Sequence, residues 1–197
     1  DENAPIEDLI ADPVRQLRRL PVKPHPRIAL PAALYGPDRR NAKGIDLGDF
    51  EALVPLADAL DAAAARQHQA APLIGGAVRG GAARPIADPA DRRRIVGSVV
   101  EAGAGEIEQA MARAARAQPD WDGTAADGRA RALEQAADLF EAQMPTLMAL
   151  AIREAGKTIP DAVAEVREAV DFLRYYATRA RADFAEPLAL PGPTGET

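Results

Sequence analysis

The apolar pattern that follows Gly156 constrains the fold more than any other feature of this sequence. Gly156 itself favours the end of a preceding helix, because glycine adopts left-handed backbone at little cost. Thr158 is predicted to cap a new helix, with Pro160 and Asp161 in its first turn. Beyond them, apolar residues recur at alternating spacings of three and four, which predicts one buried stripe on a long helix: Ile159, Val163, Val166, Val170, Leu173 and Ala177.

The opposite face of this predicted helix is charged, and it has two interpretations. We expect Arg167 and Asp171, which lie one turn apart, to form an ion pair. The ordinary interpretation of such a face is a solvated surface, and the alternative is that one of its carboxylates faces a ligand. Helical periodicity alone does not choose between them. The residues of this face are Asp161, Glu165, Arg167, Glu168, Asp171 and Arg174.

Three other helices are predicted from the same periodicity, over residues 49–69, 101–117 and 124–155. Asp49 is expected to cap the first helix, and Pro119 is expected to end the second. The third helix is predicted to be the longest in the chain.

Single residues mark expected features of the third helix and of the loop before it. Thr124 and Asp127 resemble a capping box at its start, and Pro145 is expected to kink it. Phe140 is expected to fill the core from its apolar stripe. Trp121, the only tryptophan, is expected to anchor the preceding loop in the core.

Residues 72–101 change from a helical to a strand-like pattern. Glycine pairs at 75–76 and 80–81 separate short apolar segments, and residues 95–100 are mostly apolar and β-branched, which predicts short strands joined by glycine turns. A nucleotide-binding loop is the alternative, but the GxGxxG spacing is not met and no helix opens directly after the glycines. The segment 156–158 ends like a phosphate-binding loop, but its first glycine is missing and no strand precedes it, so we reject a nucleotide site there.

The first 48 residues are predicted to be a polar turn, a short helix that Pro21 ends, and an extended proline-rich linker. Three arginines beside the helix, at positions 15, 18 and 19, are interpreted as a solvated face, with an anion site as the alternative. His25 is expected to face solvent, since the other histidine, His68, is predicted to lie in the helix over 49–69.

Composition excludes several classes of function. A net charge of −6 without a basic, aromatic-rich patch argues against nucleic-acid binding by this segment. The absence of cysteine excludes disulfides, zinc–thiolate sites and a cysteine nucleophile within the chain. No apolar run approaches the roughly 20 residues of a membrane span, and no signal peptide is visible, so we expect a cytoplasmic protein. The predicted fold class is mainly α with a small β region.

Several short segments, in their order along the chain, resemble the aldehyde dehydrogenase superfamily. Within it, they are most similar to the bifunctional bacterial proline utilization A proteins, from the tail of the proline dehydrogenase domain into the aldehyde dehydrogenase half. Each segment alone is weakly specific, and their joint order is specific. They are Glu7 to Val14, Ile74 to Gly76, Ala87 to Ala90, Val96-Gly97, Trp121, Arg129 to Leu139, Glu154 to Thr158, Ala164 to Phe172, and Arg174 to Tyr176.

The resemblance implies a fold, a domain order and a function. It implies the N-terminal portion of an α/β aldehyde dehydrogenase fold, with an incomplete Rossmann domain over residues 72–197. Residues 1–20 would be the tail of the proline dehydrogenase domain, and residues 21–71 the linker and a connecting helix. The parent enzyme would convert proline to glutamate through pyrroline-5-carboxylate and glutamate semialdehyde, using FAD and NAD, and would be a cytoplasmic homo-oligomer.

The resemblance also implies what this chain lacks and which of its residues reaches a substrate. The catalytic cysteine, glutamate and asparagine would follow Thr197, and the flavin-binding barrel would precede Asp1, so the chain alone is expected to bind neither cofactor tightly and to carry no catalytic residue. No metal site is expected. Glu168 matches the carboxylate that this subfamily places near its small-molecule aldehyde substrate. The alternative is a stand-alone helical scaffold or interaction module without catalysis, and a reading frame that continues past Thr197 would distinguish the two.

Overall fold

The computed structural model describes residues 5–21, 25, 27–187, 192 and 194. The chain forms two compact units, Asp1–Asn41 and Ala42–Thr197. The apolar, proline-rich segment over residues 187–197 lies almost entirely outside the described residues.

Among the described residues, the first unit contains short helical segments. They are α1 (Ile6–Leu9), α2 (Pro13–Arg19) and a 3₁₀ turn (Pro31–Ala33). Asp12 caps α2 by accepting the N–H of Val14, and the arginines along α2 are exposed, as the solvated-face interpretation predicts. The expectation of a polar turn over the first residues is wrong where α1 forms.

The second unit is mainly helical with a small β region, which confirms the predicted fold class. Asp49 caps its first helix by accepting the N–H of Glu51, as predicted. The elements in chain order are α3 (Phe50–Ala64), β1 (His68–Ala70), β2 (Leu73–Ile74), β3 (Ala77–Val78), β4 (Ala83–Ala87), β5 (Ile95–Val100), α4 (Ala104–Asp122), α5 (Ala126–Ala142), α6 (Met144–Ala155) and α7 (Ile159–Asp183).

The strands form one three-stranded sheet and one separate hairpin. The sheet has the order β1-β5-β4, with β1 parallel and β4 antiparallel to β5. Gly75 and Gly76, both at positive φ, form the turn of the β2–β3 hairpin, as the strand-and-turn interpretation predicts. His68 is the first residue of β1, opposite Gly97, and its predicted place in a helix is wrong.

The core lies where α3, α5, α6 and α7 meet. Met148 of α6 and Val170 of α7 have no exposed surface, and burial of such side chains stabilises a fold by about 1.5–3 kcal/mol each. The predicted stripe of α7 faces this core, except that its first residue, Ile159, is 42% exposed. The buried members of the cluster are Ala42, Leu56, Ala137, Met144, Met148, Ala162, Val163, Val166 and Val170.

The predicted helix over 124–155 is wrong in its length and its cap. It consists of two helices, α5 and α6, that meet at Gln143, and α7 is longer than either. Pro145 lies in the first turn of α6 rather than at a kink, because a first-turn residue needs no intrahelical N–H. Thr124 does not cap α5; its hydroxyl donates to the carbonyl of Asp120.

Helix α4 differs from its prediction at both ends. Its start is held by Glu106, whose carboxylate accepts the N–H of Gly103. Pro119 lies inside the helix rather than ending it, and Gly123 closes the last turn by donating to the carbonyl of Pro119. Trp121 therefore sits in that last turn, 55% exposed, and is not a core anchor. Phe140 of α5 is 37% exposed, so its expected burial is also wrong.

Across the described ranges, every helix is too short or too polar to cross a lipid bilayer.

Candidate functional site

The turn between α6 and α7 sets where α7 starts. Gly156 ends α6 in the left-handed conformation, at φ 68°. Thr158 accepts the N–H of Asp161 and caps α7, as predicted. The ammonium of Lys157 contacts the Glu165 carboxylate at 2.6 Å, and this hydrogen bond raises the pKa of Lys157. Residues 156–158, which resemble the end of a phosphate-binding loop, therefore end α6, form an ion pair and cap α7.

Glu168, the predicted substrate-binding residue, is exposed on α7. It lies on the side of the helix opposite Val170, which faces the core, because successive residues are about 100° apart. It makes no hydrogen bond or ion pair with any described residue. Its carboxylate is therefore available to a ligand that approaches this face.

Exposed aromatic residues follow Glu168 one and two turns further along the same helix. Phe172 and Tyr176 stack with their ring centroids 6.1 Å apart, and Tyr175 meets Tyr176 edge-on at 5.3 Å. All three side chains are about half exposed, at 50%, 44% and 56% for Phe172, Tyr175 and Tyr176. We call Glu168, Phe172, Tyr175 and Tyr176 the aromatic face. It differs from the predicted solvated charged surface, because large apolar rings on a surface mark a contact region.

The flank of α7 beside the aromatic face holds the segment that precedes α3. The Asp171 carboxylate accepts the N–H of Ala42 at 3.0 Å, and Glu141 of α5 accepts the N–H of Lys43 at 2.7 Å. The predicted Arg167–Asp171 ion pair is wrong, since Arg167 Nε is buried without a hydrogen-bond partner. Residues 42–47 thus lie along α5 and α7, and we call them the strap.

Arg174 is a buried cation between α7 and α5, and its predicted place on a solvated face is wrong. Its side chain is 6% exposed and donates twice to Glu141, at 2.8 and 2.9 Å, and once to Asp138 at 3.0 Å. The hydrogen bond to Glu141 raises the pKa of Arg174. A buried, hydrogen-bonded ion pair of this kind favours one register of the two helices.

A second cation extends the pairing of α7 with α5. Arg181 contacts Glu134 at 2.5 and 2.8 Å and Asp127 at 2.8 Å. These hydrogen bonds lower the pKa of Glu134 and that of Asp127. We call the ion pairs of Arg174 and Arg181 of α7 with acidic residues of α5 the α5–α7 ladder. Sequence reasoning missed this ladder, although its signal is present: basic residues at 174 and 181 and acidic residues at 127, 134 and 141 repeat every seven positions.

The described residues support neither a metal site nor a phosphate-binding loop at Gly75 and Gly76. Among them, no group of three or more His, Asp or Glu side chains could hold a metal ion. The glycine turn at Gly75 and Gly76 leads into a strand, whereas a dinucleotide's phosphates need a glycine-rich loop that opens a helix. A cleft of about 330 Å³ between the sheet and the end of α6 is lined in part by His68, Arg84 and Glu154.

Comparisons with protein families, with related sequences and with solved structures agree with one another. The aldehyde dehydrogenase family matches residues 79–195. The bifunctional protein PutA of Klebsiella aerogenes is 44% identical over 190 residues, which are 93% of this chain and 14% of that protein. A 1-pyrroline-5-carboxylate dehydrogenase of Bacillus pumilus is 40% identical over 90 residues, 46% of this chain and 18% of that protein. The crystal structure of proline utilization A from Bdellovibrio bacteriovorus matches with a TM-score of 0.74 and 26% identity, over 97% of this chain and 19% of that one.

Proposed function

Because the chain belongs to the aldehyde dehydrogenase family, we propose that it is part of a bifunctional oxidoreductase that converts proline to glutamate. In this proposal, proline is oxidised to pyrroline-5-carboxylate, which hydrolyses to glutamate semialdehyde, and the aldehyde is then oxidised to glutamate. The names of the relatives support both halves, since one is a bifunctional PutA and another a 1-pyrroline-5-carboxylate dehydrogenase. The chain spans only 14% and 18% of those two proteins, so the remainder of the parent is its main partner.

The 44% identity to a bifunctional PutA is the observation that carries this proposal, and within it we assign the exposed Glu168 carboxylate to the aldehyde substrate. Glutamate semialdehyde bears an ammonium group, and a carboxylate that accepts a hydrogen bond from it contributes about 1.5–3 kcal/mol. Glu168 has no intramolecular partner among the described residues, so binding breaks no existing ion pair. Phe172, one turn further along α7, offers apolar surface to the methylene groups of the same substrate.

The cofactors of the proposed parent are NAD for the aldehyde step and FAD for the proline step. The turn at Gly75 and Gly76 and the helix end at Gly156 are not phosphate-binding loops, so we assign neither cofactor to them. The sequence also has no cysteine to act as the nucleophile of an aldehyde dehydrogenase. Both cofactor sites and the reacting thiol are therefore assigned to the rest of the parent, which we place in the cytoplasm as a homo-oligomer.

A stand-alone helical scaffold is the second candidate function. The exposed aromatic residues of α7 are its supporting observation, since they would also suit a protein partner. The two candidates differ in what Glu168 recognises. An ammonium-specific effect of its substitution supports the enzyme, and an effect on assembly alone supports the scaffold.

The test is steady-state kinetics of Glu168→Ala in the complete enzyme with two aldehydes. The first is glutamate semialdehyde, and the second is glutarate semialdehyde, which has the same chain length without the amino group. Loss of the charge-assisted hydrogen bond should raise KM for the first by about ten- to hundredfold and leave the second nearly unchanged.

Glu165→Ala is the matched control, because it removes a carboxylate of the same type that lies nearby on α7 and is already paired with Lys157. It should change neither KM. Equal KM values for glutamate semialdehyde in Glu168→Ala and in the unaltered enzyme would refute the role of Glu168.

A further inference from the structure

The strap, residues 42–47, is attached to α5 and α7 by a carboxylate from each helix. Asp171 Oδ1 accepts the N–H of Ala42 at 3.0 Å, and Glu141 Oε1 accepts the N–H of Lys43 at 2.7 Å. Ala42 is 4% exposed, so its N–H would be left buried and unsatisfied without Asp171. Further along the strap, Ile45 and Leu47 pack against the core cluster.

The Glu141 carboxylate is itself fixed on its other side. Arg174 donates to both of its oxygens, at 2.8 and 2.9 Å, and is almost fully buried. Strap, α5 and α7 therefore share one hydrogen-bonded network, whose members hold each other at defined positions. A carboxylate on α7, Asp171, completes the network on the side of the aromatic face.

Asp171 lies close to Glu168 on the surface of α7. The two residues are three positions apart, so their side chains are neighbours on the same part of the helix. Asp171 points its oxygen to the strap, whereas Glu168 has no partner among the described residues. The strap backbone also runs past Arg167, because a Cβ placed on Gly44 would lie 3.5 Å from Arg167 Nε. The strap thus lies against α7 at Arg167, which directly precedes Glu168, and at Asp171, which follows it by three positions.

We propose that Asp171 is a positioning residue for the aldehyde substrate: by holding the strap against α7, it fixes the direction in which Glu168 meets the ammonium group. The inference rests on the proposed function, because it acts through Glu168. Without the Asp171 acceptor, the strap detaches at Ala42 and α7 loses its support on this flank. Glu168 then meets the ammonium with poorer geometry, and a substrate-binding contact weakens although Glu168 itself is unaltered.

The kinetic test compares three substitutions in the complete enzyme. Asp171→Ala should raise KM for glutamate semialdehyde by about three- to tenfold with little change in kcat, as loss of one hydrogen bond implies. Asp171→Asn keeps an oxygen acceptor and should keep KM within about twofold of the unaltered enzyme. Asp183→Ala removes a carboxylate of α7 that pairs with exposed Arg179, and it should leave both constants unchanged.

A double-mutant cycle distinguishes this proposal from the role of Glu168 itself. If Asp171 acts through Glu168, Asp171→Ala should add nothing to KM in a Glu168→Ala background. A full additional rise there overturns the proposal, as does an unchanged KM in Asp171→Ala when Glu168→Ala raises it. An unchanged KM in Glu168→Ala refutes the substrate-binding role of Glu168 first, and the positioning role falls with it.

Amide hydrogen exchange at Ala42 and Lys43 in the same enzyme tests the strap without reference to activity. Exchange at Ala42 should be faster in Asp171→Ala and unchanged in Asp171→Asn. Asp171→Ser, which keeps a polar surface but shortens the side chain, serves as the second variant should Asp171→Ala not fold. Unchanged protection of Ala42 in both shortened variants would show that Asp171 does not hold the strap.

Discussion

Replacement of Arg174 by methionine should destabilise the fold far more than replacement of an exposed arginine on the same helix. Arg174→Met removes the hydrogen bonds to Asp138 and Glu141 and takes away the guanidinium that faces the mostly buried Glu141 carboxylate, whose side chain is 13% exposed. Breaking a buried pair in this way costs about 3–5 kcal/mol, whereas Asp138, 65% exposed, regains water at little cost. Because domains of this size are stable by only about 5–15 kcal/mol, the loss should be large.

Urea unfolding of the 197-residue chain, followed by far-ultraviolet circular dichroism, measures this difference. The matched control is Arg179→Met, whose i,i+4 pair with Asp183 is half exposed and should contribute no more than about 1 kcal/mol. Adding Glu141→Gln to Arg174→Met neutralises the carboxylate that has lost the guanidinium, and it should recover part of the lost free energy of unfolding. Equal destabilisation by Arg174→Met and Arg179→Met would refute the buried-cation reasoning.

Two further predictions concern the sheet and the acidic side of the α5–α7 ladder. A Cβ on Gly97 would overlap the His68 carbonyl oxygen, so Gly97→Ala should destabilise the chain by about 1–3 kcal/mol and expose β1 to hydrogen exchange. Gly105→Ala is the control, because the space around Gly105 is open, and it should cause neither change. Arg181 holds the pKa of Glu134 in the folded state below its ordinary value of 4.5. As the pH drops below that value, Glu134 is protonated in the unfolded state before it is protonated in the folded state. The folded state therefore loses stability, and the urea midpoint should fall. Glu134→Gln should make this decline shallower, and an identical decline in both proteins would contradict the assignment.

The local features of the fold follow from the sequence where one segment contains the whole cause. The stripe of α7 is set by the spacing of Val163, Val166 and Val170, and all three are buried. The caps at Asp49 and Thr158 need only a side-chain oxygen and a free N–H two or three residues ahead, and both form.

The remaining features depend on residues that are distant in the sequence. Asp171 and Ala42 are 129 positions apart, and periodicity along α7 gives no indication of that contact. Pro145 is compatible both with a kink and with the first turn of a new helix, so its local sequence does not fix the break at Gln143. Glu168 is distinguished only by the resemblance to a family, since its exposure alone is shared with many other carboxylates.

A crystal structure of the complete enzyme with bound L-glutamate tests the central claim most directly. The product carries the same ammonium group as the aldehyde, so a Glu168 carboxylate oxygen should lie about 2.7–2.9 Å from the ammonium nitrogen. The strap should remain on Asp171, and the product should approach along the aromatic face. An ammonium group held by other residues, with Glu168 facing solvent, would contradict the account.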